Sequence, residues 1–288
     1  MLPFHKILFP VDYSAPCLAI VPYVQEVACR FSAELTLCHA YAPLAAMIHS
    51  ELLVTDPELE AKAQALEEDR LRQFACQNFA AFNVQPIAEL GEPGSVIDRV
   101  AHQRRADLVM LATRGHGPVR RFLLGSITAK VLHDVSAAVW TGVGAALLEH
   151  PARIPYKSIV CAVNGNGGEA EGILRAAASL ASEYQAQLSI LHVVATPPPY
   201  PDIDIAEHTA MLIDAAHSRL HELAGRLGVD APHTVIEGTL ADGIQQEVVR
   251  RKADLLVTGR GHSIGTFSRL WSHLYSIIRD SPCPVLSV

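Results

Sequence analysis

No two cysteines stand in a C-x-x-C spacing, no apolar run is long enough to cross a bilayer, and positive charge is not in excess. The six cysteines (Cys17, Cys29, Cys38, Cys76, Cys161 and Cys283) are scattered. Most sit among apolar neighbours, as buried reduced thiols do, which argues against a disulfide framework and for a reducing compartment. The longest uncharged apolar stretch, "AAVWTGVGAALL", falls well short of the ~20 residues of a spanning helix. The start, "MLPFHKILFPVD", is broken by Pro10 and Asp12 and offers no small-residue cleavage site, so no secretory signal is read there and a cytoplasmic protein is expected. With 23 Lys and Arg against 30 Asp and Glu, the net charge is -7. This disfavours general binding to nucleic acid or to an anionic membrane surface, so any phosphate site has to be local.

Apolar material is plentiful. Half of the 288 residues are hydrophobic and 18% are charged, enough for one large core or two smaller ones. The chain also says nearly the same thing twice. "HKILFPVD" at 5 to 12 matches "YKSIVCAVN" at 156 to 164, and "AELTLCHAY" at 33 to 41 matches "AQLSILHVV" at 186 to 194. "RRADLVMLATRGHG" at 104 to 117 matches "RKADLLVTGRGHS" at 251 to 263, and Gly91 and Gly238 each precede a third helix. A repeat of elements in one order implies a duplicated domain, 1–148 and 149–288.

In each half, short Val/Ile/Leu runs alternate with stretches whose apolar residues recur every three or four positions. Strands are predicted near 5–11, 34–40, 84–89, 107–112 and 137–142, and helices near 15–31, 57–82, 94–104 and 125–134. The second half repeats the pattern, with strands near 157–163, 187–194, 232–237, 254–258 and 284–288. Continuous apolar strands suit parallel sheets covered on both faces. The fold class is therefore α/β: two tandem Rossmann-like, doubly wound domains, each a five-stranded parallel sheet flanked by helices. Ligands of such sheets bind beyond the carboxyl ends of the strands, where strand order reverses. That places Pro10, Val11 and Asp12 of the first strand, His39 and Ala40 of the second, and the end of the fourth at one crevice.

The fourth strand runs into "ATRGHGPVRRFLLGSIT" at 112 to 128. Gly115 and Gly117 permit backbone angles and close approaches that a β-carbon obstructs. Ser126 is read as the N-cap of the following helix, where free N–H groups of Ser126, Ile127 and Thr128, the helix dipole and two hydroxyls would attract an anion. Arg114, Arg120 and Arg121 add positive charge nearby. The competing reading is an ordinary glycine-rich connection. Asp12 likewise has two readings, a ligand contact or, with Ser14, a cap of the next helix.

The spacing resembles the G-x2-G-x9-G-[ST] signature of the ATP-binding universal stress proteins, carried here by Ala112, Gly115, Gly125 and Ser126. The likeness extends over both halves and describes a tandem member of that family. It implies that the Val11 backbone and the Asp12 carboxylate meet adenine, with Ala40 against the base. Leu111 and Ala112 would run beside the adenosine, and Gly115, Gly125, Ser126, Ile127 and Thr128 would hold the phosphates. His116 either touches a phosphate or faces water. The first signature glycine is Ala112, one methyl group more than the pattern. The second half departs further: Asn164 replaces the aspartate, and neither alignment of the loop restores the signature, with Trp271 or Ser272 falling where its last glycine belongs. A degenerate copy is expected there.

The fourteen histidines are read as forming no dedicated transition-metal site, whereas magnesium or manganese carried on ATP phosphates needs few protein ligands. The segments "YAPLAAMIHSELLVTDP" and "TPPPYPDID" are read as a lid and a stiff loop over the crevices. By resemblance, the halves pair as an intramolecular pseudo-dimer through their last strands, with a homodimer of the whole chain as a further arrangement. The leading expectation is a non-catalytic, ATP-binding regulatory protein with protein partners not yet identified. Slow hydrolysis or self-phosphorylation at Ser126 or Thr128 is compatible with it. The alternatives are an adenine-nucleotide-cleaving enzyme of the wider α/β group, and an interaction scaffold or apolar-ligand carrier that binds no ATP.

Overall fold

The computed structural model describes residues 4–42, 57–113, 124–142, 154–163, 167–195, 205–260 and 267–288, with the side chains of 57, 59, 205 and 267–273 excepted. The chain divides into two compact units: Pro3–Gly144 forms one, and Ala145–Val288 belongs to the other. The segments read as lid and stiff loop fall almost wholly outside the described residues.

The first unit is built from β1 (Lys6–Pro10), α1 (Ala15–Phe31), β2 (Glu34–Tyr41), α2 (Pro57–Asn78), β3 (Val84–Leu90), α3 (Pro93–Arg104), β4 (Leu108–Ala112), α4 (Ser126–Asp134) and β5 (Ala138–Gly142). All described pairings are parallel, in the order β3-β2-β1-β4-β5. The central strands are apolar throughout because helices cover both faces: Ile7, Leu8, Phe9, Leu37, Val109 and Met110 are all buried. Chain order reverses between β1 and β4, so the switch point lies where those two strands end.

The second unit repeats this with β6 (Ser158–Ala162), α5 (Gly167–Tyr184), β7 (Gln187–Val194), α6 (Ile205–Leu227), β8 (His233–Glu237), α7 (Leu240–Arg251), β9 (Leu255–Thr258), α8 (Phe267–Asp280) and β10 (Val285–Ser287). Its strand order is β10-β9-β6-β7-β8. The two parallel sheets flanked by helices are those the sequence predicts.

Several matched sequence features have matched physical roles. Asp107 receives the backbone N–H groups of His5 (2.7 Å) and Lys6 (3.1 Å), and Asp254 receives those of Lys157 (2.8 Å) and Ser158 (2.9 Å). One carboxylate per copy thus pins the start of the central strand to the start of its neighbour. Gly91 (φ 149°) and Gly238 (φ 146°) hold a backbone region open to glycine. Each donates its N–H back to the end of the second strand, at Tyr41 and Val194. Helices α1, α3, α5 and α7 are each followed by a left-handed residue that is not glycine: Ser32 (φ 51°), Arg105 (φ 52°), Gln185 (φ 51°) and Lys252 (φ 49°).

Helix α2 stops at Asn78, short of the predicted end at 82. The Asn78 carbonyl accepts from Gln25 Nε2 of α1 (2.5 Å), and its side-chain amide donates to the Phe74 carbonyl (2.9 Å). Phe79 then turns into the core against Phe9, with ring centres 6.0 Å apart. Tertiary bonds and an aromatic anchor outweigh the local helical pattern here.

Candidate functional site

Strand β4 and helix α4 meet at the switch point of the first unit. Gly125 lies outside the helix (φ -59°, ψ 141°), and its carbonyl receives the Ala129 N–H at 3.0 Å. It is therefore Gly125, and not Ser126 as predicted, that stands at the N-cap position; Ser126 is the first helical residue. No side chain caps this terminus. By contrast α1 is capped by Ser14, α3 by Glu92 and α7 by Thr239. Ser126, Ile127 and Thr128 supply the first N–H groups of α4, which have no partner within the helix.

The two hydroxyls differ. Thr128 is buried, and its Oγ1 donates to the Ala112 carbonyl at 3.2 Å, tying α4 to the end of β4. Ser126 and Ile127 are exposed. Gly125 N–H donates to the Thr113 carbonyl (3.2 Å), and Thr113 is held in turn by the Gly142 carbonyl. Among the described residues, a β-carbon built at Gly125 would meet only Thr113 O and Thr128 Oγ1, both at 3.6 Å. Among the described residues, nothing in the packing or in φ requires glycine at this position. Leu111 is buried within β4, and Ala112 pairs with Gly142 at the strand's end.

The ends of β1 and β2 form the other side. Val11 is buried, and its N–H donates to the Cys38 carbonyl at 2.8 Å. Its carbonyl lies 2.7 Å from His39 Nδ1, so that nitrogen carries the proton and donates. The Pro10 carbonyl faces Cys17 Sγ at 4.0 Å, and burial pushes that thiol up to about 12. Asp12 is exposed, and its Oδ1 accepts from Ser14 N at 2.9 Å. Ser14 Oγ in turn accepts from Cys17 N at 3.2 Å and caps α1. The capping role considered for Asp12 thus belongs to Ser14, with Asp12 shaping the turn before it. Ala40 is half-buried in β2, opposite Glu89 of β3.

A cluster absent from the sequence reading closes this side. Tyr13 takes φ 60°, a strained angle for a bulky residue. Its ring lies 4.7 Å from His39 and 5.7 Å from Phe74, with the Arg70 guanidinium 4.1 Å from its centre. Glu67 Oε2 sits 3.6 Å from His39 Nε2 and 3.7 Å from Arg70 Nη1. Burial is the main cause that pushes the Tyr13 phenol up to about 12, with Arg70 opposing and Glu67 assisting. The signal was an aromatic between Asp12 and Ser14. Its partners lie in β2 (His39) and, more than fifty residues along the chain, in α2 (Glu67, Arg70 and Phe74), where only folding brings them close.

Among the predicted site residues, Pro10, Val11, Asp12 and Ala40 lie at the β1 and β2 ends. Leu111, Ala112, Gly125, Ser126, Ile127 and Thr128 lie where β4 meets α4. Gly115 and His116, with Arg114, Gly117, Arg120 and Arg121, fall outside the described residues.

The second unit keeps one latch. His192 Nδ1 lies 2.8 Å from the Val163 carbonyl, as His39 does from that of Val11. Burial, more than Arg219, holds His192 below the usual imidazole range, although the Val163 contact opposes it. Past β9, Arg260 is 3% exposed, and burial pushes its guanidinium down to about 10. Asn164 and the Trp271 side chain fall outside the described residues. His217 and His221 stand four residues apart on α6, beside His233, and among the described residues no group of three metal-ligating side chains could hold a metal ion.

The family model for the universal stress protein family matches residues 3–141 and 155–288. A Staphylococcus aureus (strain USA300) universal stress protein is 28% identical over 142 residues, covering 48% of this chain and 84% of that protein. A solved Pseudomonas aeruginosa protein of unknown function aligns with TM-score 0.67 at 14% identity, covering 99% of this chain and 92% of the other. A universal stress protein from Archaeoglobus fulgidus aligns with TM-score 0.65 at 18% identity, covering 98% and 95%. Among the described residues, no helix is long and apolar enough to cross a membrane.

Proposed function

Since the chain belongs to the universal stress protein family, with one domain in each half, we propose that its first domain binds ATP. The observation that carries this reading is the N-terminus of α4: three leading amides with no side-chain cap, at the switch point, beside a glycine that the described packing does not require. Backbone N–H groups and the positive end of a helix favour phosphate. The exposed Ser126 hydroxyl adds a donor, whereas the buried Thr128 hydroxyl fixes the terminus to β4.

The base would lie toward β1 and β2. There Asp12 offers a carboxylate, Ala40 a small side wall, and the Val11 carbonyl a second lone pair besides the one facing His39. Magnesium or manganese would enter on the phosphates and need few protein ligands. The protein acts in the cytoplasm as a switch without efficient turnover: occupancy favours one conformation and so changes which proteins it meets. The second domain does not take ATP, because Asn164 replaces the aspartate and the signature is broken.

Calorimetric titration of ATP into the full chain, with and without magnesium, tests the binding. Mass spectrometry of nucleotide released from the purified protein tests it independently. Saturable binding or co-purified adenine nucleotide supports the reading; absence of both overturns it. A steady-state assay showing many turnovers per minute would replace the switch with an enzyme.

A further inference from the structure

The base side of the crevice and its counterpart in the second unit share one hydrogen-bond pattern. In the first unit the Val11 N–H donates to the Cys38 carbonyl (2.8 Å), and the Val11 carbonyl accepts from His39 Nδ1 (2.7 Å). In the second, the Val163 N–H donates to the Leu191 carbonyl (2.9 Å), and the Val163 carbonyl accepts from His192 Nδ1 (2.8 Å). A residue just past the central strand is thus tied to the neighbouring strand at both its amide and its carbonyl. The surroundings of the two rings differ. His39 packs against the Tyr13 ring at 4.7 Å, and Glu67 Oε2 faces its Nε2 at 3.6 Å. Tyr13 keeps that place at φ 60°, an angle that persists in a bulky residue only where its surroundings fix it. On His192 it is a cation, Arg219 of α6, that acts.

We infer that His39 is a positioning residue for the nucleotide: it occupies one lone pair of the Val11 carbonyl and aims the other at an N–H donor of the base, the 6-amino group of adenine. The assignment rests on the reading that the first domain binds ATP. A carbonyl can only accept, so Nδ1 supplies the proton of the latch and the base has to supply the second. A peptide group already held at both ends gives up little freedom when a ligand bonds to it, which favours binding. Tyr13 and Glu67 keep the imidazole from turning away from the carbonyl.

Calorimetric titration of the full chain with ATP and with purine riboside triphosphate, the same molecule without its 6-amino group, provides the test. The parent should prefer ATP by about 5- to 10-fold, the worth of one neutral hydrogen bond. H39L removes the donor, and it should weaken ATP binding by a similar factor and bring the two ligands level. H39Q places its amide one bond farther out, where Nε2 stands, and should behave as H39L does; it keeps the test valid if leucine disturbs the fold. H39N should retain the preference, because its amide nitrogen, like Nδ1, is one bond from Cγ and can donate to the same carbonyl. H192L breaks the matching latch of the second unit and should change neither the affinity for ATP nor the preference. A parent that binds both nucleotides equally, a preference that survives in H39L and H39Q, or one lost to the same extent in H192L would overturn the inference and leave ATP binding standing. A parent that binds neither nucleotide would overturn both.

Discussion

Substituting Gly125 separates a glycine kept for the ligand from one kept for the fold. Among the described residues, an alanine β-carbon there would make only two contacts of 3.6 Å, at a φ of -59° that any residue adopts. A stiffer unfolded chain would favour the variant by ~0.4 to 1 kcal/mol. Alanine is a poorer cap than glycine by a comparable amount. G125A should therefore change unfolding free energy by less than about 1 kcal/mol. Binding behaves differently, because the space above the α4 amides is where phosphate would sit. Hydrogen bonds to a charged group contribute ~1.5 to 3 kcal/mol each. Covering two of the three leading amides with an indole should therefore remove ~3 kcal/mol or more, at least ~100-fold in Kd. Urea denaturation and ATP calorimetry on the parent, G125A and G125W give both readouts. A G125W protein that binds ATP as its parent does would refute the phosphate site. A G125A protein destabilised by more than about 2 kcal/mol would show that packing, and not the ligand, demands the glycine.

Two further predictions concern buried polar groups. The Tyr13 hydroxyl is buried with no hydrogen-bond partner among the described residues. An unsatisfied buried hydroxyl costs ~1 to 3 kcal/mol, so Y13F should raise the unfolding free energy from urea denaturation by about 1 kcal/mol; an equal loss would show that the hydroxyl is bonded. Glu247 is 4% exposed and accepts from Arg250 Nη2 (2.6 Å) and Arg251 Nε (2.8 Å). Burial pushes its carboxyl up, but the bonds from Arg250 and Arg251 outweigh that and hold it below its usual value. Protons then bind more readily to the unfolded chain, so the pair's contribution is complete above the unfolded carboxylate pKa and fades as acid is added. The stability gap between parent and E247Q should narrow from pH 6 to pH 3; a gap independent of pH would refute the argument.

The sheets were legible because β1, β4 and β9 are nearly unbroken apolar runs, and the duplication was legible because the two copies keep the same landmarks. Asp107 and Asp254 appeared in the sequence only as matched letters. Their task, pinning two strand starts each, became visible with the backbone amides in place. Tertiary forces account for the misses. The end of α2 is set by Gln25 from another helix, and the start of α4 by the torsions of Gly125. The Tyr13, His39, Glu67 and Arg70 cluster joins three separate segments.

The four left-handed residues that close α1, α3, α5 and α7 are spelled Ser, Arg, Gln and Lys, yet their φ values span only 49° to 52°. A β-carbon in that region costs about 1 kcal/mol that glycine would avoid, so side-chain chemistry cannot be what the joints share. What the copies hold in common at these corners is handedness. Divergence there has changed the lettering and left the bend alone, so percentage identity understates how closely the two halves still follow one backbone plan.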